Sequence, residues 1–260
     1  MDKGISFYFG FDVEPELRAK MIKDAGFDCV ITNADKKFVW QNGTIESQVK
    51  IFKKVGLKLS SLHMSYNAED LHYFWENCKK GEKLKKNLIK DVKIAKKYGF
   101  TCVVVHLFGK YSEIGKQRLE EVLALCEKLN IPLAIENIND QKLFLQVFEN
   151  IKSDMLKFCY DSGHNNVFDK NFNYLENFKD KLITLHLHDN NGNCDEHTLT
   201  KYSGSIDWNK IAKSLAKQNN IKLDYEVFGK NDENVSAEEY LKQTFIQAKN
   251  LEKLIEKFKK

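Results

Sequence analysis

The chain has 260 residues, 42% hydrophobic and 30% charged, with 41 Lys and Arg against 37 Asp and Glu. At about 150 residues per domain this is fewer than two domains, and α/β barrels of this length run as one. A net charge of +4 is too mild to imply nucleic acid or an anionic membrane by itself, and no apolar run approaches the roughly 18 residues a membrane span needs.

In chain order, strand-like runs over 4–11, 27–33, 58–66 and 101–108 are each followed by a segment with apolar residues at three-and-four spacing, over 14–26, 44–55, 82–98 and 113–129. The alternation continues with runs over 132–137, 156–161, 182–189 and 222–228 and helices over 140–151, 171–179, 208–218 and 236–258. The runs are short, and most are rich in β-branched or aromatic residues. Gly26, Gly56 and Gly99 follow helical segments and precede strands, as helix stops do, and Ser236 with Glu239 resembles a capping box.

Eight strands alternating with eight helices require a parallel sheet, because parallel neighbours need crossover connections. The expected fold is a single (β/α)8 TIM barrel over residues 1–260. A doubly wound sheet is the competitor, but no GxGxxG turn follows the first strand. No organic cofactor is expected. The start, MDKGISFYFGFD, lacks a long apolar core and a small-residue cleavage site, so a cytoplasmic, unprocessed protein is expected. Cys29, Cys78, Cys102, Cys126, Cys159 and Cys194 show no CxxC spacing and read as reduced thiols. The only arginines, Arg18 and Arg118, fall on helical segments and read as solvated.

The informative feature is what ends each strand. His63 closes the third, His106 the fourth, Glu136 the fifth, Asp161 the sixth with His164 behind it, His186, His188 and Asp189 the seventh, and Glu226 the eighth. Asp195 and His197 follow in the loop after strand seven, whereas His72, after strand three, reads as a bystander. A barrel gathers these strand ends around one mouth. So many ionisable groups together cost several kcal/mol unless paired, and a divalent metal pairs them. Glu136, Asp161, His186 and Glu226 form an oxygen-rich set suited to Mn, Mg or Co, without excluding Zn. His63 and His106, with Glu136 bridging, offer a nitrogen-rich second set, and His164, Asp195 and His197 a third.

The ordered motifs HMSY, VVVH, AIEN, YDSGH, HLHDN, DEH and GSIDW resemble the xylose isomerase-like barrels over essentially the whole chain. That superfamily holds sugar phosphate isomerases and epimerases, hydroxypyruvate isomerase, inosose dehydratase and endonuclease IV (AP endonuclease family 2). The resemblance implies Glu136, Asp161, His186 and Glu226 as the metal ligands common to the epimerases. It implies His63, His106, His164, Asp195 and His197 as counterparts of the additional ligands of endonuclease IV. His188 stands where the nuclease has Asn, and TLTKYSGSIDW is one residue longer than the family's usual glycine turn, at Lys201–Tyr202.

Two activities follow from the resemblance. The first is a metal-dependent isomerase or epimerase acting on a small sugar or sugar phosphate through a metal-stabilised cis-enediolate. Glu136 and Glu226 exchange the proton, His164, His63 and His188 contact substrate, and Trp75 or Phe7 walls the pocket. An inosose dehydratase-like lyase is its near variant. The second is a zinc phosphodiesterase cutting abasic DNA. The polar to acidic loops NDQ, DSGHNN, HDNNGNCDEH and KNDEN count against nucleic acid. A barrel that keeps the metal but serves as a ligand sensor is a third class, against which both retained glutamates argue. The sequence leaves a homo-oligomer open.

Overall fold

Eight parallel strands form the wall of a barrel: β1 Lys3–Ser6, β2 Cys29–Asn33, β3 Lys58–His63, β4 Cys102–Val105, β5 Leu133–Glu136, β6 Leu156–Asp161, β7 Leu182–His186 and β8 Leu223–Tyr225. The computed structural model describes residues 1–65, 67–200, 204–229 and 235–259. Tyr66, the Lys201–Tyr202 step and the KNDEN loop lie outside the described residues. Each strand from β1 to β6 pairs with the next, and β8 pairs with β1. The ring closes where the Leu187 N–H donates to Asp224 O at 2.9 Å and Leu187 O accepts the Glu226 N–H at 3.0 Å.

Ten helices surround the wall among the described residues: α1 Pro15–Asp24, α2 Val39–Asn42, α3 Ile45–Val55, α4 Lys79–Tyr98, α5 Glu113–Leu129, α6 Gln141–Asn150, α7 Ser162–Phe168, α8 Tyr174–Asn177, α9 Trp208–Leu215 and α10 Ala237–Lys259. Gly56 and Gly99 end α3 and α4 in the left-handed region, at φ 75° and 88°. Ser236 Oγ accepts the Glu239 N–H at 3.2 Å ahead of α10. No described helix is long and apolar enough to cross a membrane.

Most strands stop short of the apolar runs that announce them, and at the C-terminal end: β4 ends at Val105, so His106 already stands beyond the ladder. There the chain turns to form the mouth and the strand hydrogen bonds run out. The short α2 and α7, and 3-10 turns over Lys36–Phe38 and Ala68–Trp75, occupy what reads as loop. Local side-chain caps nucleate two of them: Asp35 accepts the Lys37 N–H and Asp161 the His164 N–H.

Both arginines are buried, at 1% and 2% exposure, rather than solvated. Arg18 donates to Asn42 Oδ1 at 2.6 Å and to Val13 O at 2.7 Å, and lies over the rings of Phe7 and Tyr8. Arg118 donates to Phe74 O and Glu76 O, each at 2.7 Å, and to Glu82 at 2.9 Å. The fork of donors on each guanidinium satisfies several loop carbonyls that helix or sheet cannot reach. Each arginine thereby clamps loops that follow strands.

Inside the ring, Val104, Ala134 and Cys159 form a small apolar cluster of their own. Towards the N-terminal end, the buried Asp224 accepts from Ser60 Oγ at 2.6 Å, Thr184 Oγ1 at 3.3 Å and Cys29 Sγ at 3.5 Å. Burial pushes this carboxyl upward in pKa, against those hydrogen bonds and the charge of Lys222. Four of the six cysteines are buried, and none is in a disulfide. Period-two alternation then sets the mouth. Two residues beyond Ala134, Cys159, Thr184 and Asp224 on their strands come Glu136, Asp161, His186 and Glu226.

Gly4 makes room for the Asp224 knot, since a Cβ there would lie 1.9 Å from Asp224 Oδ1 and 2.9 Å from Cys29 Sγ. Gly4→Ala is expected to destabilise the fold by about 1–3 kcal/mol through overpacking. In urea unfolding this reads as a lower midpoint at unchanged slope; an unmoved midpoint would show that the floor of the barrel yields.

Candidate functional site

A cavity of about 550 Å3 opens at the C-terminal mouth. Its floor holds His63, His106, Glu136, His186 and Glu226. One wall is His164, Asp195, Glu196, His197 and Phe228, and the other is Ser6, Tyr8, Thr32, Asn33, Phe38 and Asn42.

At the floor, His186 Nδ1 lies 3.0 Å from Glu136 Oε2 and 3.1 Å from Glu226 Oε2. Glu136 Oε2 is also 3.2 Å from His106 Nε2 and 3.7 Å from His63 Nε2, while its Oε1 is 3.2 Å from His164 Nδ1. On the wall, Asp195 Oδ2 stands 3.1 Å from both His164 Nε2 and His197 Nε2. Potential ligand atoms of Glu136, Asp161, His186 and Glu226 all fall within 4.8 Å of one another. The same holds for His63, His106 and Glu136, for His164, Asp195 and His197, and for Glu136, Cys159 and His186. The first three groups are the three sets read from the sequence.

Both carboxylate oxygens of Glu136 and His186 Nδ1 are buried and make no hydrogen bond, although they face one another. Buried groups of this kind carry a desolvation cost that only a well-placed counter-charge offsets. The donors fit a divalent cation: three carboxylates with one imidazole in one group, imidazole-rich sets in two others.

The electrostatics keep these carboxylates in the ligating form. Burial alone would raise Glu136, but His186 and His106 beside it hold it well below the usual range. Glu226 is likewise held down, against burial, by His186 and His197. Asp195 is held down, against burial, by its hydrogen bonds with His164 and His197. Burial works against the charged imidazoles, yet His197 rises to about 9 because Asp195 and Glu226 face it. His164, facing Asp161 and Asp195, and His186, facing Cys159 and Glu226, rise well above the ordinary value. His106 falls, because burial outweighs Glu136 there.

His197 adopts φ 48°, a left-handed conformation uncommon outside glycine. This turns its Nδ1 onto Glu226 O at 2.8 Å and its Nε2 onto Asp195. Asn137 braces the next strand: its amide donates to Asp161 O at 2.9 Å and accepts the Asp161 N–H at 2.8 Å.

Three residues expected against substrate are elsewhere. Phe7 points oppositely to its neighbours Ser6 and Tyr8, and packs edge-on to Phe52 at 4.7 Å in the core. Trp75 is buried where a Cβ on Gly115 would meet its ring. The aromatic walls are instead Tyr8, Phe38 and Phe228. His188 is fully buried behind Asp161 and does not line the cavity. His72 stands off the site, 3.8 Å from Glu76. Tyr8 was legible as the continuation of the inward row through Gly4 and Ser6. Phe38 and Asn42 were not, because they sit on turns absent from the strand–helix pattern.

Comparison with known proteins agrees with this architecture. The model of the family described as xylose isomerase-like TIM barrel matches residues 19–249. An uncharacterized protein of Sinorhizobium fredii, y4fM, is 27% identical over 241 residues, with 76% of each chain covered. A D-tagatose 3-epimerase-like protein superposes with a TM-score of 0.76 at 17% identity, covering 99% of both chains. The IOLI protein, whose structure holds a bound zinc atom, superposes with a TM-score of 0.69 at 16% identity over 98% of this chain and 99% of that one. The match to the family model spans nearly the whole barrel, and the chain belongs to the xylose isomerase-like TIM barrel family.

Proposed function

We propose that this protein is a metal-dependent isomerase or epimerase of a small sugar. The observation that carries this reading is the pair Glu136 and Glu226, whose Oε2 atoms meet one ring nitrogen of His186 at 3.0 and 3.1 Å on the floor of the mouth cavity. The cavity, at about 550 Å3, is of small-ligand size. The likeness to a D-tagatose 3-epimerase-like protein supports a hydroxycarbonyl sugar as substrate class.

Glu136, Asp161, His186 and Glu226 would hold the metal, which supplies Lewis acidity toward a carbonyl and a neighbouring hydroxyl oxygen. One of the two glutamates removes the proton from the carbon beside the carbonyl, and the other returns one to a neighbouring carbon or to the opposite face. Glu226 is the more accessible, at 19% side-chain exposure against 1% for Glu136. His164 reaches the cavity and contacts the substrate there. Tyr8, Phe38 and Phe228 cover the apolar faces of the sugar, and Asn33 and Asn42 offer neutral hydrogen bonds to its hydroxyls.

A second reading, a zinc phosphodiesterase acting on abasic DNA, is favoured by the grouping of nine donors into three sets that share Glu136 between two of them. Such a cluster suits several ions acting together.

Glu136→Gln and Glu226→Gln are each expected to lower turnover by about 10²–10⁴-fold, the usual contribution of a proton-transfer group. The readout is deuterium taken from solvent into a panel of ketoses and aldoses; full exchange in both variants sinks the two-base mechanism. Elemental analysis of protein purified without added metal is expected to find about one divalent metal per chain. Stripping it with a chelator should lower Tm by about 5–10 °C, the equivalent of roughly 2.7 kcal/mol for a site saturated a hundredfold. Near three zinc ions per chain would replace the first reading by the second and make abasic DNA the substrate to assay.

A further inference from the structure

The loop leaving β7 carries one imidazole that does not line the mouth cavity. His188 is fully buried. Its Nε2 lies 3.0 Å from Asp161 Oδ1 and 3.1 Å from Oδ2, and 3.6 Å from Asp195 Oδ1. A carboxylate offers only acceptors, so Nε2 carries the proton and donates to Asp161. A face of the ring is also committed: His188 stacks on His197 with centroids 3.9 Å apart and planes 16° from parallel, while its Nδ1 lies 3.5 Å from Asp189 O.

The fold makes room for this ring and locks its backbone. The His188 N–H donates to Ser162 Oγ at 2.9 Å, and the Ser162 hydroxyl donates to His188 O at 2.6 Å. A Cβ at Gly163 would fall 1.8 Å from His188 Cε1, so only glycine fits at position 163 while the ring is there. Asp161 Oδ1 also accepts the His164 N–H at 2.7 Å. Held from both sides, the Asp161 carboxylate has its plane fixed.

We propose that His188 is a positioning residue of the metal centre. Its Nε2–H orients Asp161, and its stacked face seats His197. One imidazole thus fixes a donor in each of two groups: the strand-borne set with Glu136, His186 and Glu226, and the loop-borne set with His164 and Asp195. The inference rests on the reading that Asp161 is among the metal's ligands. Hydrogen-bond partners of ligands set donor geometry and basicity, and their loss typically lowers metal affinity about 10–100-fold.

The test is a Co²⁺ titration of the full chain after chelator stripping, followed by the visible absorption of bound cobalt, which reports its coordination geometry. His188→Leu fills the space without a donor. His188→Gln carries an amide N–H that reaches Asp161. His188→Asn stays polar but is too short to reach. The leucine and asparagine variants are expected to bind cobalt about 10–100-fold more weakly with an altered spectrum, and the glutamine variant to stay within about threefold of wild type. Melting curves of the stripped proteins check folding, and the asparagine variant serves if leucine does not fold. Wild-type affinity in both the leucine and asparagine variants overturns the proposal. So does a glutamine variant as weak as asparagine, since the ring would then act by packing alone. A wild-type chain that takes up no cobalt overturns the metal reading itself, and this inference with it.

Discussion

Everything at the mouth of this barrel turns on keeping one carboxylate ionised where water cannot reach it. Glu136 is buried, and ring nitrogens of His186, His106, His164 and His63 stand 3.0–3.7 Å from its oxygens. A single counter-charge near 4 Å is worth about 4 kcal/mol at the effective dielectric of a protein surface, and burying an ion costs several. One partner barely breaks even, which gives a physical reason for two, His186 and His164, the imidazoles beside Glu136 that rise well above the ordinary value. The parallel sheet supplies these neighbours: His106 leaves the strand beside Glu136 in register with it, and Asp161 and His186 pair with each other two residues further along.

The supports differ in stiffness. Glu136, Asp161 and His186 are the last residues of β5, β6 and β7, above a packed interior whose floor is tied by Asp224, Ser60 and Thr184. Asp195 and His197 ride on a loop instead. That loop is fixed at its base by Asp189, whose Oδ1 accepts N–H bonds from Asn190, Ser205 and Ile206 and whose Oδ2 accepts from Trp208 Nε1 at 2.7 Å. The opposite rim is held by Arg18, which binds the loops after β1 and β2 together through Val13 and Asn42. Donors on strands are held more precisely than donors on loops. The set around Glu136 and His186 is therefore the better preorganised, and the set around Asp195 depends on its anchors.

Much of this was legible in the sequence. Short apolar runs alternating with amphipathic segments fixed the barrel, and the residue closing each run gave the members of the three donor groups. The failures share one cause: sequence periodicity reports burial, not what a buried group touches. Arg18 and Arg118 sit on helices, yet they reach into the loops, where unpaired carbonyls outcompete water. Phe7 and Trp75 look like pocket walls by position, but the side-chain period sends Phe7 to the helices, and Gly115 opens a slot that takes Trp75 into the core. His188 was expected against substrate from the family resemblance alone. The curling of the chain after β7 instead carried it behind Asp161.

The shared position of Glu136 ties the chemistry to occupancy. Its Oε2 faces His186 on one side and His106 with His63 on the other. Were a cation held only by Glu136, Asp161, His186 and Glu226, as proposed, lone pairs of Glu136 would remain for a substrate proton, and the imidazoles of His63 and His106 would be left to meet substrate oxygens. Were His63 and His106 to hold a second cation, the same carboxylate would be shared between the two groups. A bridging carboxylate is a poor base, because both of its oxygens already neutralise metal charge. Proton transfer between carbons and multi-ion phosphodiester hydrolysis therefore make opposite demands on one side chain. On the proposed reading, the choice between the two demands would turn on whether His63 and His106 bind a metal or a substrate, on a pair of imidazoles rather than on the fold.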